Sequence, residues 1–346
     1  MIRHLLSLTI VLSLLGTARA QDLHFSQFYN MPVWLNPALT GVTEGDYRIA
    51  AIYRNQWWAP GENFGSPAFM TPGLSIDAPI RVGNNALGIG GLVIADRQAG
   101  GALQDIHAAL SISYVQTLGS AGRHRLSVGL QGTYMNRRFD ADGLQFASQF
   151  TGNTYNASLP GETFEADAFH SADVHAGLAW SSRFSDRFAW QIGTAVSNIA
   201  RVDRSYLAQG DRDDDLRFTA HTSMDWALNT TGSVSLLPSV LFLHMAGTNQ
   251  MNSGLGLGID LTESTRLTVG PYLRSNGWVS ELALDAIIGY VAVDVKGLRI
   301  AGSYDHTISD LQDAAGAQGS MEVSVVWVGR SKPLPEGPRH IFCPRF

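Results

Sequence analysis

One cysteine, Cys343, occurs in 346 residues. That excludes an intramolecular disulfide framework and a cysteine-based zinc site. Charge is scarce too: Asp, Glu, Lys and Arg make up 16% of the chain, too little for an ordinary soluble surface. The formal balance of −6 comes with no basic stripe, so nothing is present to neutralise phosphates and nucleic acid is excluded as a partner. Beyond the first twenty residues there is no run of about twenty apolar residues, so no transmembrane helix is expected. A mean hydropathy of +0.00 is nevertheless too polar for a helical membrane protein, and it is what a lipid-facing row averaged with a lumen-facing row would give.

Residues 1–20 read as a Sec-type signal peptide. Arg3 and His4 precede an apolar core from Leu5 to Leu15, and Ala18-Arg19-Ala20 supplies a small-x-small cleavage site. The mature chain is then expected to begin at Gln21. No cysteine follows that site, so a lipoprotein anchor is not expected.

From about Asp46 to Val328 apolar residues alternate with small or polar ones. Leu126, Val128, Leu130 and Tyr134 share one face; Ser127, Gly129, Gln131 and Thr133 share the other. Roughly fourteen such strands are predicted, at 47–57, 68–78, 86–96, 103–117, 125–136, 172–181, 188–197, 216–228, 234–243, 251–261, 267–274, 279–292, 298–307 and 319–328. The even-numbered connections are all short, and the two longest, 137–171 and 198–215, are both odd-numbered. An outer-membrane barrel with short periplasmic turns and long external loops has this alternation. The fold expected is an all-β, transmembrane, antiparallel up-and-down β-barrel in the bacterial outer membrane. An N-terminal periplasmic or plug-like segment (21–45) precedes the barrel (46–328), and a short periplasmic tail (329–346) follows it. The expected lipid-facing rows include Ile106, Ala108, Leu110, Ile112, Tyr114; Val174, Ala176, Leu178, Trp180; Leu216, Phe218, Ala220, Thr222, Met224, Trp226; and Met321, Val323, Val325, Trp327. A soluble lipocalin-like barrel or sandwich would turn such rows inward instead.

Little in the chain suggests chemistry. Asp173 and His175 share a strand face, and Asp305 adjoins His306, but no nucleophile–base–orienter set can be assembled. The chain is therefore not expected to be an enzyme, and no cofactor is expected. Asp211, Asp213, Asp214 and Asp215 could offer hard oxygens to calcium. They lack the glycine turn and distal glutamate of an EF-hand, so a solvated acidic loop is the competing reading. Runs such as Gly88-Ile89-Gly90-Gly91 lie on strands without a phosphate-binding lysine, so glycine there permits close packing or sharp coiling.

Several words in the chain point further. They are Gln21-Asp22-Leu23-His24-Phe25-Ser26-Gln27-Phe28-Tyr29, Leu35-Asn36-Pro37-Ala38-Leu39-Thr40-Gly41, Tyr53-Arg54-Asn55-Gln56-Trp57, Gly302-Ser303-Tyr304-Asp305-His306-Thr307-Ile308-Ser309 and Cys343-Pro344-Arg345-Phe346. As an ordered set they resemble the PorP/SprF family of Bacteroidetes outer-membrane proteins. Leu159-Pro160-Gly161-Glu162 also looks like that family's central loop. The resemblance implies a barrel working in type IX secretion and gliding motility. Its implied partners are secretion-ring lipoprotein and periplasmic subunits, together with secreted cargo or an adhesin. It supplies no catalytic residues; the positions it marks are Asn36, Pro37, Tyr53, Arg54, Asn55, Gln56, Trp57, Tyr304 and Asp305. The acidic run Asp211-Arg212-Asp213-Asp214-Asp215 departs from the family's pattern. The alternative is a FadL-like outer-membrane channel for hydrophobic or small solutes. In either case the aromatic segment from His24 to Val42 either enters the barrel as a plug or serves as a plain periplasmic linker.

Overall fold

The computed structural model describes residues 23–57, 69–98, 101–119, 122–140, 147–152, 154–156, 158–159, 161, 168–201, 215–277, 283–309 and 318–330. The expected signal peptide, Asp211, Asp213 and Asp214, Pro160 and Glu162 of the central-loop word and the tail beyond Arg330 lie outside these residues.

Fourteen antiparallel strands close into one barrel. In chain order they are β1 (Tyr47–Gln56), β2 (Phe69–Val82), β3 (Asn85–Gln98), β4 (Leu103–Leu118), β5 (His124–Phe139), β6 (Ala168–Ser185) and β7 (Phe188–Ser197). Then come β8 (Arg217–Ala227), β9 (Val234–Met245), β10 (Thr248–Thr262), β11 (Thr265–Asn276), β12 (Ala283–Val295), β13 (Leu298–Thr307) and β14 (Gln318–Gly329). Every strand pairs with its sequence neighbours, and β1 closes the cylinder on β14 from Tyr47↔Gly329 to Gln56↔Ser320. Closure leaves no long edge to be satisfied in lipid. A short hairpin, Phe150–Thr151 with Thr154–Tyr155, stands apart in the connection between β5 and β6.

The alternation has the sense required for a membrane. Leu110 is 77% exposed, and Ile112, Val128, Leu130, Val174, Leu178, Met321, Val323 and Trp327 are exposed with it. The opposite rows, such as Ser111, Ser113, Ser127, Gln131, His221 and Ser223, are buried. Apolar residues outside and polar ones inside exclude the soluble alternative, since water would meet the wrong face. Aromatic rings gather at the end where β1 begins: Tyr47 packs edge-on against Trp327, and Trp180 meets Phe184 and Trp190. Rings at this level suit the headgroup region.

That end carries four of the barrel's five two-residue connections, 83–84, 186–187, 263–264 and 296–297, the fifth being 246–247; we call it the turn end and the opposite one the loop end. At Lys296–Gly297 both central residues have positive φ, 49° and 90°, the geometry that matches strand twist in a two-residue hairpin. Several boundaries differ from expectation: β6, expected over 172–181, runs Ala168–Ser185, and β2 is a second case. Pro79 suggests that β2 stops at Ala78, yet the strand runs on to Val82, with Pro79 opposite Gly88. A single N–H is forgone there, while Ile80 and Val82 extend the lipid-facing row.

Candidate functional site

The most heavily constrained place in the molecule is the lumen, where residues 23–43 run from the loop side to the turn side before β1 starts. Their local form follows from two prolines. Pro32 opens a single helical turn, Pro32–Leu35, at a position where its missing N–H costs nothing. Asn36 precedes Pro37 and is therefore held extended, at φ −160° and ψ 120°. It ends that turn and caps the next, Pro37–Leu39, by accepting the Ala38 N–H at 2.9 Å through Oδ1. Phe25, Met31 and Val33 pack against Ala50, Ile52, Leu92, Ile94 and Ala109, while Phe28, Leu35 and Leu39 pack against Ala179 and Leu241. These wall sites depart from the largely polar lining, as does a second apolar group of Tyr272, Ile288, Tyr290, Ala292 and Ala301.

Three polar anchors tie the segment to the wall. The middle anchor is Asn36 itself. Its Nδ2 donates to the carbonyls of Leu178 on β6 and Thr194 on β7, both at 3.2 Å. The same amide lies 3.1 Å from His221 Nε2 on β8, a contact that needs the imidazole proton on Nδ1. The wall is pared down to admit this turn: a Cβ at Gly129 would strike the Pro37 carbonyl, and one at Gly177 would strike Asn36 Oδ1.

The turn-side anchor is Arg48 with Asp77. The guanidinium grips both carboxylate oxygens, Nε at 2.9 Å and Nη2 at 2.7 Å, a bidentate pair. It also donates to the carbonyls of Val42 and Leu39, each at 3.1 Å. Asp77 Oδ2 accepts the Gly41 N–H at 2.7 Å. Gly41 has φ +69° and faces Gly88 closely, so no side chain fits at either position.

The loop-side anchor is a buried charge cluster. Glu322 on β14 is fully buried; its two oxygens accept the N–H groups of Ser26 at 2.7 Å and Gln27 at 2.8 Å, and it pairs with Arg54. Asp305 on β13, also fully buried, accepts from Ser26 Oγ at 2.7 Å and Arg274 Nη1 at 2.6 Å and lies 3.8 Å from Arg54 Nη1. Arg274 Nε in turn reaches Asp285 at 2.5 Å. Two cations and two buried carboxylates thus share one dry site, with the partly exposed Asp285 at its edge and the segment's own N–H and O–H groups supplying further donors. Burying such charges is costly unless each is paired, and removing one partner strands the others. The arrangement is a clamp: both Glu322 oxygens, Asp305 Oδ2 and the Ser26 hydroxyl are all committed to holding the segment.

On the turn side of the segment a cavity of about 920 Å³ opens between Tyr29, Asn30 and Pro32 and the turns of the β8–β14 wall. Its rim carries paired charges, Arg299 with Asp294 at 2.9 Å and Arg266 with Asp260 at 3.4 Å.

The positions marked by the resemblance separate into two groups. Arg54 and Asp305 meet in the charge cluster, with Gln56 Oε1 accepting from Arg54 Nη2 at 3.2 Å, while Asn36 and Pro37 form the middle anchor. Tyr53 and Tyr304 face outward. Asn55 shares their row on β1, and Trp57, at φ 56°, packs edge-on against Phe69. Asp305 and His306 fall on opposite faces of β13, which separates that pair. Asp173 accepts the backbone N–H of Val174 at 2.6 Å and of Ala200 at 3.0 Å. Of the calcium candidates, Asp211 and Asp213 lie outside the described residues, and Asp215 is exposed, its carbonyl accepting from Asn198. Glu322, Arg274, Arg48 and Asp77 were not singled out by the sequence, and His221 was legible only as one of the inward residues of its strand. Their signal was available, since each is a charged or imidazole side chain at an inward position of a lipid-facing strand.

A family model described as type IX secretion system membrane protein PorP/SprF matches residues 17–327. No curated protein sequence matches the chain. Among solved structures, the TodX deltaS2S3 mutant monoaromatic hydrocarbon channel aligns at TM-score 0.53 and 8% identity, over 86% of this chain and 93% of that one. A Pseudomonas aeruginosa FadL homologue aligns at TM-score 0.44 and 12% identity, over 85% and 92% of the two chains. At such identities the likeness is one of fold.

Proposed function

The chain belongs to the PorP/SprF family of type IX secretion system membrane proteins, and from that premise we propose that it acts as a docking component rather than a conduit. In this reading it assists export or surface attachment of secreted cargo through protein–protein contacts. The turn end, where the described chain stops at Arg330, faces the periplasm, where ring lipoprotein and periplasmic subunits approach, while the lumenal segment starts on the loop side. The long connections, from Phe139 to Ala168 and from Ser197 to Arg217, face outward and meet the cargo, since recognition usually resides on loops held by a rigid scaffold. Gliding motility is the broader setting that the family suggests.

The observation that carries this reading is the lumenal segment, held at three levels by Glu322 and Asp305, by His221 with the β6 and β7 carbonyls, and by Arg48 with Asp77. A passage blocked by a segment fixed this way is a poor route for a polypeptide. Two measurements test the proposal. Deleting residues 23–42 should raise single-channel conductance in planar bilayers; unchanged conductance counts against a plug. Pull-down from mildly solubilised membranes should recover secretion-ring subunits; their absence counts against docking.

A second reading, a channel for a small hydrophobic or polar solute, is favoured by the fold shared with TodX and by the 920 Å³ cavity, a size that suits small ligands. Such a channel would take up solute in cells lacking the secretion subunits, whereas a docking component would not.

A further inference from the structure

We propose that the loop-end edge of β6, Ala168–Ala172, is a strand-addition site for an extended segment of the exported protein. The inference rests on the docking reading above and names the kind of contact that the outward surface makes. It starts from register. β5 and β6 stay paired to the top of β6, where Arg138 faces Ala168. On its other side β6 pairs with β7 only from Ala176↔Val196 downward. Above that level Ile199 N–H donates to the Val174 carbonyl at 3.2 Å, and Ala200 N–H donates to Asp173 Oδ1 at 3.0 Å.

In an antiparallel strand the N–H and C=O of one residue point to the same side, and the side alternates along the chain. The Val174 carbonyl points toward β7, so the backbone groups of Ala172, His170 and Ala168 point that way too, while those of Ser171 and Phe169 enter the β5 ladder. Among the described residues nothing pairs with the open-side groups of these three. Natural edges are usually blunted by lysine, proline or a bulge; Ala168-Phe169-His170-Ser171-Ala172 contains neither residue, and its ladder with β5 is unbroken.

Height and charge narrow the occupant. Val174, Ala176, Leu178 and Trp180 form the lipid-facing row below. Tyr134, opposite Ala172, hydrogen-bonds His170 Nδ1 at 2.5 Å and marks the headgroup level. The open edge therefore rises out of the hydrocarbon, where unpaired backbone is tolerated. A strand laid on it would run its outer side chains beside His170 and, one strand further on, beside Tyr134, Asn136 and the exposed Arg138. That row suits a β-prone segment carrying a carboxylate among its outward residues, with main-chain hydrogen bonds providing the grip and alternate side chains the selectivity.

Proline tests this directly, because at an open-side position it removes an N–H without touching the β5 ladder. Full-length chains carrying Ala168→Pro with Ala172→Pro, Ala168→Pro alone, or Ala168→Val with Ala172→Val would replace the wild type in cells. The partition of exported proteins between cell surface and medium would be quantified by mass spectrometry, with heat-modifiable mobility confirming the barrel. A photo-crosslinking residue at position 170 reports occupancy. The proline pair should lower surface retention and crosslinking at least tenfold, the single proline should lower both in part, and the valine pair should match wild type. Wild-type retention and crosslinking in a folded proline variant would overturn the proposal. A strain lacking the chain separates the two failures. If it still retains its exported proteins, the docking reading falls and takes this one with it; if only the proline variants are silent, the strand-addition site alone is wrong.

Discussion

Replacing Glu322 with alanine should release the loop-side end of the lumenal segment while leaving the barrel closed. In the native protein this carboxylate accepts two backbone N–H groups, from Ser26 at 2.7 Å and Gln27 at 2.8 Å, and pairs with Arg54. Without it, Arg54 keeps the neutral acceptors Ser26 and Gln56 and the more distant carboxylate of Asp305, 3.8 Å away, and two buried N–H groups lose their acceptor. Breaking a buried pair by removing one partner costs about 3–5 kcal/mol. At about 1.4 kcal/mol per factor of ten, that raises the population of the detached segment roughly 10²–10³-fold. The barrel ladders should not share the loss, because β14 still pairs with β1 and β13 through its backbone. Hydrogen exchange in detergent, resolved by peptide, reads this difference. Peptides covering 23–31 should lose about two to three decades of protection, while those in β4 and β5 keep theirs. Removing Arg54 together with Glu322 should cost less than the sum of the two single losses, since neither charge is then stranded. Unchanged protection at Ser26 and Gln27 in Glu322→Ala would refute the claim that this carboxylate holds the segment.

Other perturbations follow from the same geometry. Gly177→Val drives a side chain into Asn36, so folded yield should drop sharply on heat-modifiable gels; Gly132→Ala, with open space around it, should be silent. Leu110→Arg, at a position 77% exposed, should cost about 2–4 kcal/mol in denaturant titrations from vesicles, whereas Leu118→Arg at the turn end should cost about 0–1 kcal/mol. Arg48→Ala frees the Leu39 and Val42 carbonyls as well as Asp77, so exchange should rise across 39–43 while 23–31 stays protected.

The barrel was legible because its rule is binary. Along residues 105–113 of β4 and 320–325 of β14 each outward residue is apolar and each inward one is small, polar or charged, so a period of two reveals the wall without tertiary knowledge. Boundaries were less legible where local chemistry misleads, as at Pro79. The lumenal contacts were not legible, for a different reason. Ser26 meets Asp305 across 279 positions and Glu322 across 296, and no local pattern encodes which inward charge faces which. Arg54 and Asp305 were visible only as parts of recurring words, with no indication that they converge. Asn36-Pro37 was an intermediate case. An Asn before Pro announces an extended residue and a turn, but not that its amide would reach the carbonyls of β6 and β7.

The distribution of polar groups decides where the molecule can meet anything else. The outer wall is committed to lipid along Leu110, Leu130, Leu178 and Val323. The inner wall of β1 and β3–β7 is committed to residues 23–43, down to glycines that leave no room for a methyl group. Only the two ends retain unspent capacity, and they differ in kind. The turn end offers a cavity lined by charges that already answer one another, Arg299 with Asp294 and Arg266 with Asp260, so a ligand there must displace existing pairs. The loop end offers backbone groups on β6 that no described residue satisfies, and these can exchange water for a partner strand without breaking any bond within the protein. A partner recognised by strand pairing is therefore favoured at the loop end, which is also where the long connections rise from the wall.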